Sequence, residues 1–209
     1  LASKRKTIVL TAVRCGETTW DVEGRLYGRS DLPLSIAGRA SVAADVRAMA
    51  GRRMATVYHP PDDAASETAQ ILARAVGARA KSVTDLSEAN LGVLEGMSTQ
   101  AFAERFPKRY KQWQEDPLSL SAPDGEDVAD ARARLFAVAG RLLRRARSRE
   151  VAMVLHPLSL GLLRCWLADR PPTEVWSLVR GRPRIERYLV GVEMIGWLDE
   201  AARAQYTHS

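Results

Sequence analysis

VRCGETTWD, Val13 to Asp21, leaves an apolar run, Thr7 to Val13, that reads as a buried strand rich in β-branched residues. The chain then turns through Arg14, Cys15, Gly16, Glu17 and Thr18. An arginine, a thiol and a glycine at a strand end are the parts of a small anion site. The guanidinium offers forked donors, glycine lets the backbone come close, and the polar neighbours orient both. Alone, the stretch is equally a strand end with a solvated arginine and a buried cysteine. The rest of the chain decides between the two.

From this strand outward, Arg14 to Ser35 reads as a long loop punctuated by glycines and Pro33. Ile36 to Ala50 has Val42, Val46 and Met49 on one helical face and Gly51 as its stop. Met54 to Tyr58 reads as a second strand, closed by the rigid turn His59, Pro60, Pro61. Asp62 to Val76 reads as a helix with Ala65, Ala69, Leu72 and Val76 on one side and acids in its first turn. Lys81 to Thr84 gives a short strand, Leu86 to Gly96 a loop, and Thr99 to Trp113 a helix broken at Pro107. Asp116 to Gly125 is a loop. A long helix, Glu126 to Arg147, carries Val128, Ala131, Leu135, Val138 and Leu142 in register. Val151 to Leu155 is apolar throughout, as a central parallel strand should be. His156 and Pro157 end it, and Leu158 to Ala168 reads as a helix. A short helix is expected near Val175 to Val179, then two closing strands, Arg184 to Val190 and Val192 to Trp197. This alternation predicts one α/β domain over 1–209, three layers α/β/α around a mostly parallel sheet. Residues from about 94 to 125 are expected to form an insertion or lid over the site.

The bulk properties agree and exclude several classes. A chain of 209 residues suits one domain with a real core, and 46% hydrophobic content sets it apart from disordered sequences. No apolar run approaches the roughly 18 residues that a membrane span requires, so no membrane partner is expected. LASKRKTIVL is basic and then apolar, but too short and without a small-residue cleavage site, so it is read as the lead into the first strand. Two cysteines, Cys15 and Cys165, make no disulfide framework, which points to a reducing, cytoplasmic setting. The net charge of +6 is scattered, apart from RLLRRARSR at 141–149, read as a solvated helix face. Without interleaved aromatics or a recognition motif, nucleic acid is not an expected partner.

Four candidate spots fall at predicted strand ends, where open α/β sheets hold ligands: Arg14 and Cys15, His59 to Ala64, Glu88, and His156. The set resembles the histidine phosphatase superfamily, the phosphoglycerate-mutase-like group, over almost the whole chain. VRCGETTWD is similar to that group's first signature, which usually reads Arg-His-Gly-Glu-Thr. GRLYGRSDLPLSIAGRA (24–40), VYHPPDDAASETA (57–69), LSEANLGVLEG (86–96), APDGED (122–127) and VLHPLS (154–159) resemble its later segments. The resemblance implies a histidine nucleophile that accepts phosphate, two arginines and a second histidine that neutralise the equatorial oxygens, and an acid that protonates the leaving group. Carried over by position, Arg14 is the first arginine and a phosphate-binding residue. Glu88 is the acid, and His156 is the second histidine and also contacts phosphate.

Three positions depart from that pattern. The nucleophile position holds Cys15, the second arginine position holds Ala64, and Asp21 stands where an asparagine is expected. Asp62 and Asp63 precede Ala64, where a phosphate pocket would avoid negative charge. Loss of one transition-state donor costs about 2.7–4 kcal/mol. A thiolate at Cys15, its pKa lowered by Arg14, is a possible substitute nucleophile. The Cys-five-residues-Arg loop of cysteine phosphatases is missing, since its sixth position is Asp21. A metal site from Cys15, His59 and His156 fits by ligand type, but a repacked pocket is the plainer reading, and no cofactor or metal is expected. The tryptophans Trp113, Trp166, Trp176 and Trp197 are read as core or lid packing, and Cys165 as a core residue.

These features predict a phosphatase-like fold with a degenerate, catalytically impaired site, serving as a binding, regulatory or structural protein. Its expected ligands are phosphate, a phosphorylated small molecule or a protein partner. A second reading is an altered phosphomonoesterase that uses Cys15 or His156 as nucleophile on a small phosphorylated metabolite. A third is surface binding of an acidic partner by the arginine-rich helix.

Overall fold

Strand β1, Thr7–Arg14, lies inside a five-stranded sheet whose order places β4 and β5 on either side of it. The computed structural model describes residues 7–146 and 149–203. In chain order the elements after β1 are α1 (Thr19–Val22), α2 (Ile36–Val46), β2 (Thr56–His59), α3 (Asp63–Val76) and β3 (Arg79–Ser82). Then come α4 (Thr99–Arg105), α5 (Pro107–Glu115), α6 (Val128–Arg145), β4 (Val151–Leu155), α7 (Pro157–Leu167), β5 (Ile185–Gly191) and α8 (Val192–Arg203). The sheet order is β3-β2-β4-β1-β5. Pairing is parallel except between β1 and β5. The mostly parallel α/β architecture expected from the sequence is the one observed.

Side chains alternate between two cores, one on each face, because successive Cβ atoms of a strand point opposite ways. Val13, Val57, Ala152 and Val154 pack with Val42 and Val46 of α2 and Ala65, Ala69, Leu72 and Val76 of α3. Leu10, Ala12, Met153 and Leu155 pack on the other face with Leu135, Val138 and Leu142 of α6 and Leu162 of α7. The helical faces read from spacing in α3 and α6 are the buried ones.

Several local expectations need correction. The 14–35 loop contains a helical turn, α1, held by a capping box in which Thr18 and Asp21 bond reciprocally. Residues 175–179 form turns after a 3-10 segment at Pro172–Glu174 instead of a helix. The third strand begins two residues early, at Arg79, and all four of its residues are exposed. The second closing strand is absent: Val192 to Trp197 belongs to α8. Ile195 and Leu198 of α8 are buried three residues apart, a helical spacing that a short apolar run does not separate from a strand. Arg147, Ser148 and His208 lie outside the described residues, as does the side chain of Trp197.

Candidate active site

The carboxyl ends of three adjacent parallel strands bring the site together. Cys15 follows β1, His156 follows β4, and Arg14 pairs with Leu155 in the ladder, so Cys15 and His156 are set side by side. The Cys15 amide donates to the Leu155 carbonyl at 2.8 Å. Beyond β2 comes Asp62, the N-cap of α3, whose Oδ1 accepts from the Ala65 amide at 2.9 Å. The same Oδ1 lies 3.0 Å from His156 Nε2. Ligand atoms of Cys15, Asp62 and His156 all lie within 4.8 Å of one another.

The electrostatics follow from burial. His156 is 4% exposed, and burial alone would lower its pKa, yet the bond to Asp62 and its charge raise it above the usual histidine value. Burial likewise opposes ionisation of Asp62, but the His156 hydrogen bond and charge hold its carboxyl below the usual range. The two are joined by one buried hydrogen bond in which each favours the other's charged form. At Cys15, 4% exposed, burial and then the Asp62 charge push the thiol far above its ordinary value. The expected activation by Arg14 is therefore corrected: desolvation dominates, and the guanidinium of Arg14 lies 3.8 Å from Glu17.

Glu88 is buried and serves α7. It accepts from the amides of Leu158 (2.9 Å) and Ser159 (3.1 Å) and from Ser159 Oγ (2.7 Å), satisfying donors at the start of that helix. The loop bearing it is clamped from α6: Arg134 Nη1 donates to the carbonyls of Asp85 (2.8 Å) and Ser87 (2.9 Å). Arg134 and Arg29 both donate to Glu126 Oε2 at 2.9 Å, and their charges hold the Glu126 carboxyl below its usual value despite burial. A group with a depressed folded-state pKa stabilises the fold above its unfolded value and loses that contribution as pH falls. Glu126→Gln should therefore flatten the fall in urea midpoint below about pH 4.5, where wild type loses this contribution. At neutral pH the variant should be less stable by about 1–3 kcal/mol. Equal midpoint-against-pH curves for the two proteins would mean that Glu126 contributes nothing to acid sensitivity.

His59 is turned away from this cluster in function: its Nδ1 pairs with the Pro60 carbonyl at 2.7 Å, and the third member beside Cys15 and His156 is Asp62. Of the two acids before Ala64, only Asp62 joins; Asp63 is exposed. Ala64 is fully buried in the first turn of α3. Asp21 is spent on its capping box with Thr18.

Four contributors escaped the sequence reading. The Tyr27 ring stacks on His156 with centroids 4.3 Å apart. Thr68 Oγ accepts from the Gly16 amide at 3.0 Å and lies 3.7 Å from Cys15 Sγ. Arg184, from the approach to β5, donates to the Cys15 carbonyl at 2.9 Å and to Asp45 at 2.7 Å. Arg29 donates to the Glu88 carbonyl at 3.2 Å, and it borders, with Asp31, Asp62 and Glu88, a cavity of about 180 Å³. Only Asp62 left a signal in the sequence, as an acid at a helix start in a pocket expected to be basic.

The family described as histidine phosphatase superfamily (branch 1) matches residues 10–186. Among curated proteins, a probable phosphoglycerate mutase of Yersinia enterocolitica is 26% identical over 160 residues, covering 77% of this chain and 74% of that protein. Phosphoserine phosphatase 1 of Hydrogenobacter thermophilus is 23% identical over 170 residues, 81% of each chain. Among solved structures, YhfR of Bacillus stearothermophilus superposes with a TM-score of 0.79 at 24% identity, over 86% of this chain and 90% of that one.

Proposed function

The chain belongs to the histidine phosphatase superfamily, and from that premise we propose that it is a pseudo-phosphatase. In this reading the family's fold carries a degenerate, catalytically impaired site and acts by binding, as a regulatory or structural protein. One observation carries the reading: His156, the second histidine of the resemblance, is already paired with an internal carboxylate, Asp62, at 3.0 Å. A phosphoryl group would have to displace that carboxylate, and a hydrogen bond to a charged group contributes about 1.5–3 kcal/mol. Two further features support it. The Cys15 thiol is held in its protonated, poorly nucleophilic form by burial and by Asp62. Ala64 supplies no cation where the second arginine would clamp the phosphate.

Phosphate or a phosphorylated small molecule remains a ligand in this reading, bound weakly through Arg14 and His156. Glu88 keeps its place as the acid position while capping α7. The segment 94–125 acts as the lid: Trp113 of α5 lines a small cavity together with Tyr27, Glu88 and Pro157. No described helix is long and apolar enough to cross a membrane. Two free, buried cysteines are compatible with a reducing, cytoplasmic setting.

The test is turnover of a generic aryl phosphate by wild type and by Cys15→Ser. Both should be inert at the sensitivity of the assay. Turnover by wild type at about 1 per second or more, abolished by Cys15→Ser, would replace the pseudo-phosphatase with a cysteine-based phosphomonoesterase.

A further inference from the structure

We propose that Cys15 Sγ, Asp62 Oδ1 and His156 Nε2 together bind one zinc ion. The three atoms come from the ends of β1, β2 and β4 and lie within 4.8 Å of one another. A thiolate, an imidazole and a carboxylate make a set of soft and borderline donors that suits zinc, which takes sulfur at about 2.3 Å and nitrogen or oxygen at about 2.0–2.2 Å. A tetrahedral ion with those bond lengths sets its ligands about 3.3–3.6 Å apart. The Asp62–His156 distance is already 3.0 Å, so closure asks mainly for a movement of the sulfur.

The substitutions at the family positions all act in the same direction. By the pattern that the resemblance implies, Cys15 stands at a histidine position and Ala64 at an arginine position, and the Asp62 carboxylate lies 3.0 Å from His156. An anion pocket that loses one cation and gains a carboxylate and an ionisable thiol becomes suited to a cation. On binding, the Cys15 thiol and the His156–Asp62 pair release their protons to solvent, which leaves two anionic ligands and a neutral imidazole to balance one divalent ion.

The surroundings support the three donors as metal sites do. Tyr27 stacks on the imidazole and fixes its plane. The Ala65 amide holds Asp62 Oδ1 at 2.9 Å, and Thr68 Oγ stands 3.7 Å from the sulfur. Arg184 fixes the Cys15 carbonyl at 2.9 Å. Cys15 and His156 are buried, and Asp62 is the one of the three donors that borders the 180 Å³ cavity, which brings solvent space up to the carboxylate. Three protein ligands with one open position is the arrangement of zinc sites that bind or activate small molecules, as distinct from closed structural sites.

The inference builds on the reading of a pocket that has left phosphoryl transfer, and the two fail separately. Chelator-stripped full-length protein is titrated with Zn2+ against a chromophoric chelator, and with Co2+ for spectroscopy. The expected result is one ion per chain, with a near-ultraviolet thiolate-to-cobalt band. Cys15→Ser and Asp62→Asn should each weaken Zn2+ binding at least about tenfold, while His59→Gln leaves it unchanged. Circular dichroism checks that each variant is folded. Wild type without saturable binding, cobalt protein without the thiolate band, or binding that survives either ligand substitution intact overturns the site. Aryl phosphate turnover by the stripped protein would sink the pseudo-phosphatase and leave the metal result standing.

Discussion

Cys15→His alone should leave aryl phosphate turnover close to the wild-type background. The new imidazole would face a phosphoryl group clamped on one side only, with Asp62 Oδ1 still 3.0 Å from His156 Nε2 in the space the phosphate needs. Cys15→His with Ala64→Arg should exceed either single change, because attack requires both a nucleophile and an aligned, neutralised phosphoryl group. The triple variant that adds Asp62→Ser should do better again, since it frees His156 for the substrate. Restoring one donor to the transition state is worth about a hundred- to thousandfold in rate, and parts that act as a unit recover together, not in equal shares. The measurement is kcat/KM for each member of the series. Because Ala64 is fully buried, thermal melts must accompany the arginine variants to separate misfolding from failed chemistry. A Cys15→His single variant as active as the triple would show that neither Asp62 nor the missing arginine holds the site back.

Arg164→Ala should lower stability by about 3–5 kcal/mol, the cost of breaking a buried charged network. Arg164 is 1% exposed on α7. Its guanidinium donates to the carbonyls of Leu178 at 2.9 Å and Pro183 at 2.7 Å, and lies 3.4 Å from Glu186. Removing it strands two backbone acceptors and vacates the volume of the long side chain, while Glu186 keeps Arg182 and Tyr188 as partners. For a chain of this size the melting temperature should fall by about 6–20 °C. The loss reaches the site, because Pro183 precedes Arg184, which grips the Cys15 carbonyl. A change below about 1 kcal/mol in urea unfolding would mean that water replaces the guanidinium without cost.

How much of this was legible in the sequence depended on the kind of signal. Val151 to Leu155 was readable to the residue because a strand buried on both faces is apolar without interruption. The buried faces of α3 and α6 were readable from helical spacing alone. Convergence of Cys15 and His156 was readable because both follow apolar strands whose carboxyl ends share one rim of an open α/β sheet; that the two strands are neighbours came from the fold. The α8 helix was not, since six residues with a β-branched start fit either period. Nor could spacing tell which of Asp62 and Asp63 enters the pocket. That choice belongs to the N-cap, whose extended backbone bends Asp62 toward the Ala65 amide and within reach of His156, and leaves the next residue facing out. Arg184 reaches the site from outside every motif, and Tyr27, though inside the segment 24–40, gave no sign that its ring would lie on His156; only the fold brings them there.

The position of β1 between β4 and β5 has a consequence for the life of the chain before it is folded. Among the described strands β1 is the first made, and its two neighbours, β4 and β5, are the last two made. At about 5–20 residues per second, the apolar edge of β1 waits on the order of ten seconds for Val151–Leu155 and longer for Ile185–Gly191. Such unpaired edges are what nascent chains aggregate through and what chaperones shield. The α2–α3 half can begin to collapse early, but the pocket cannot exist until β1 meets β4. Assembly of Cys15 with His156 thus reports that translation has passed β4 and that its strand has found β1.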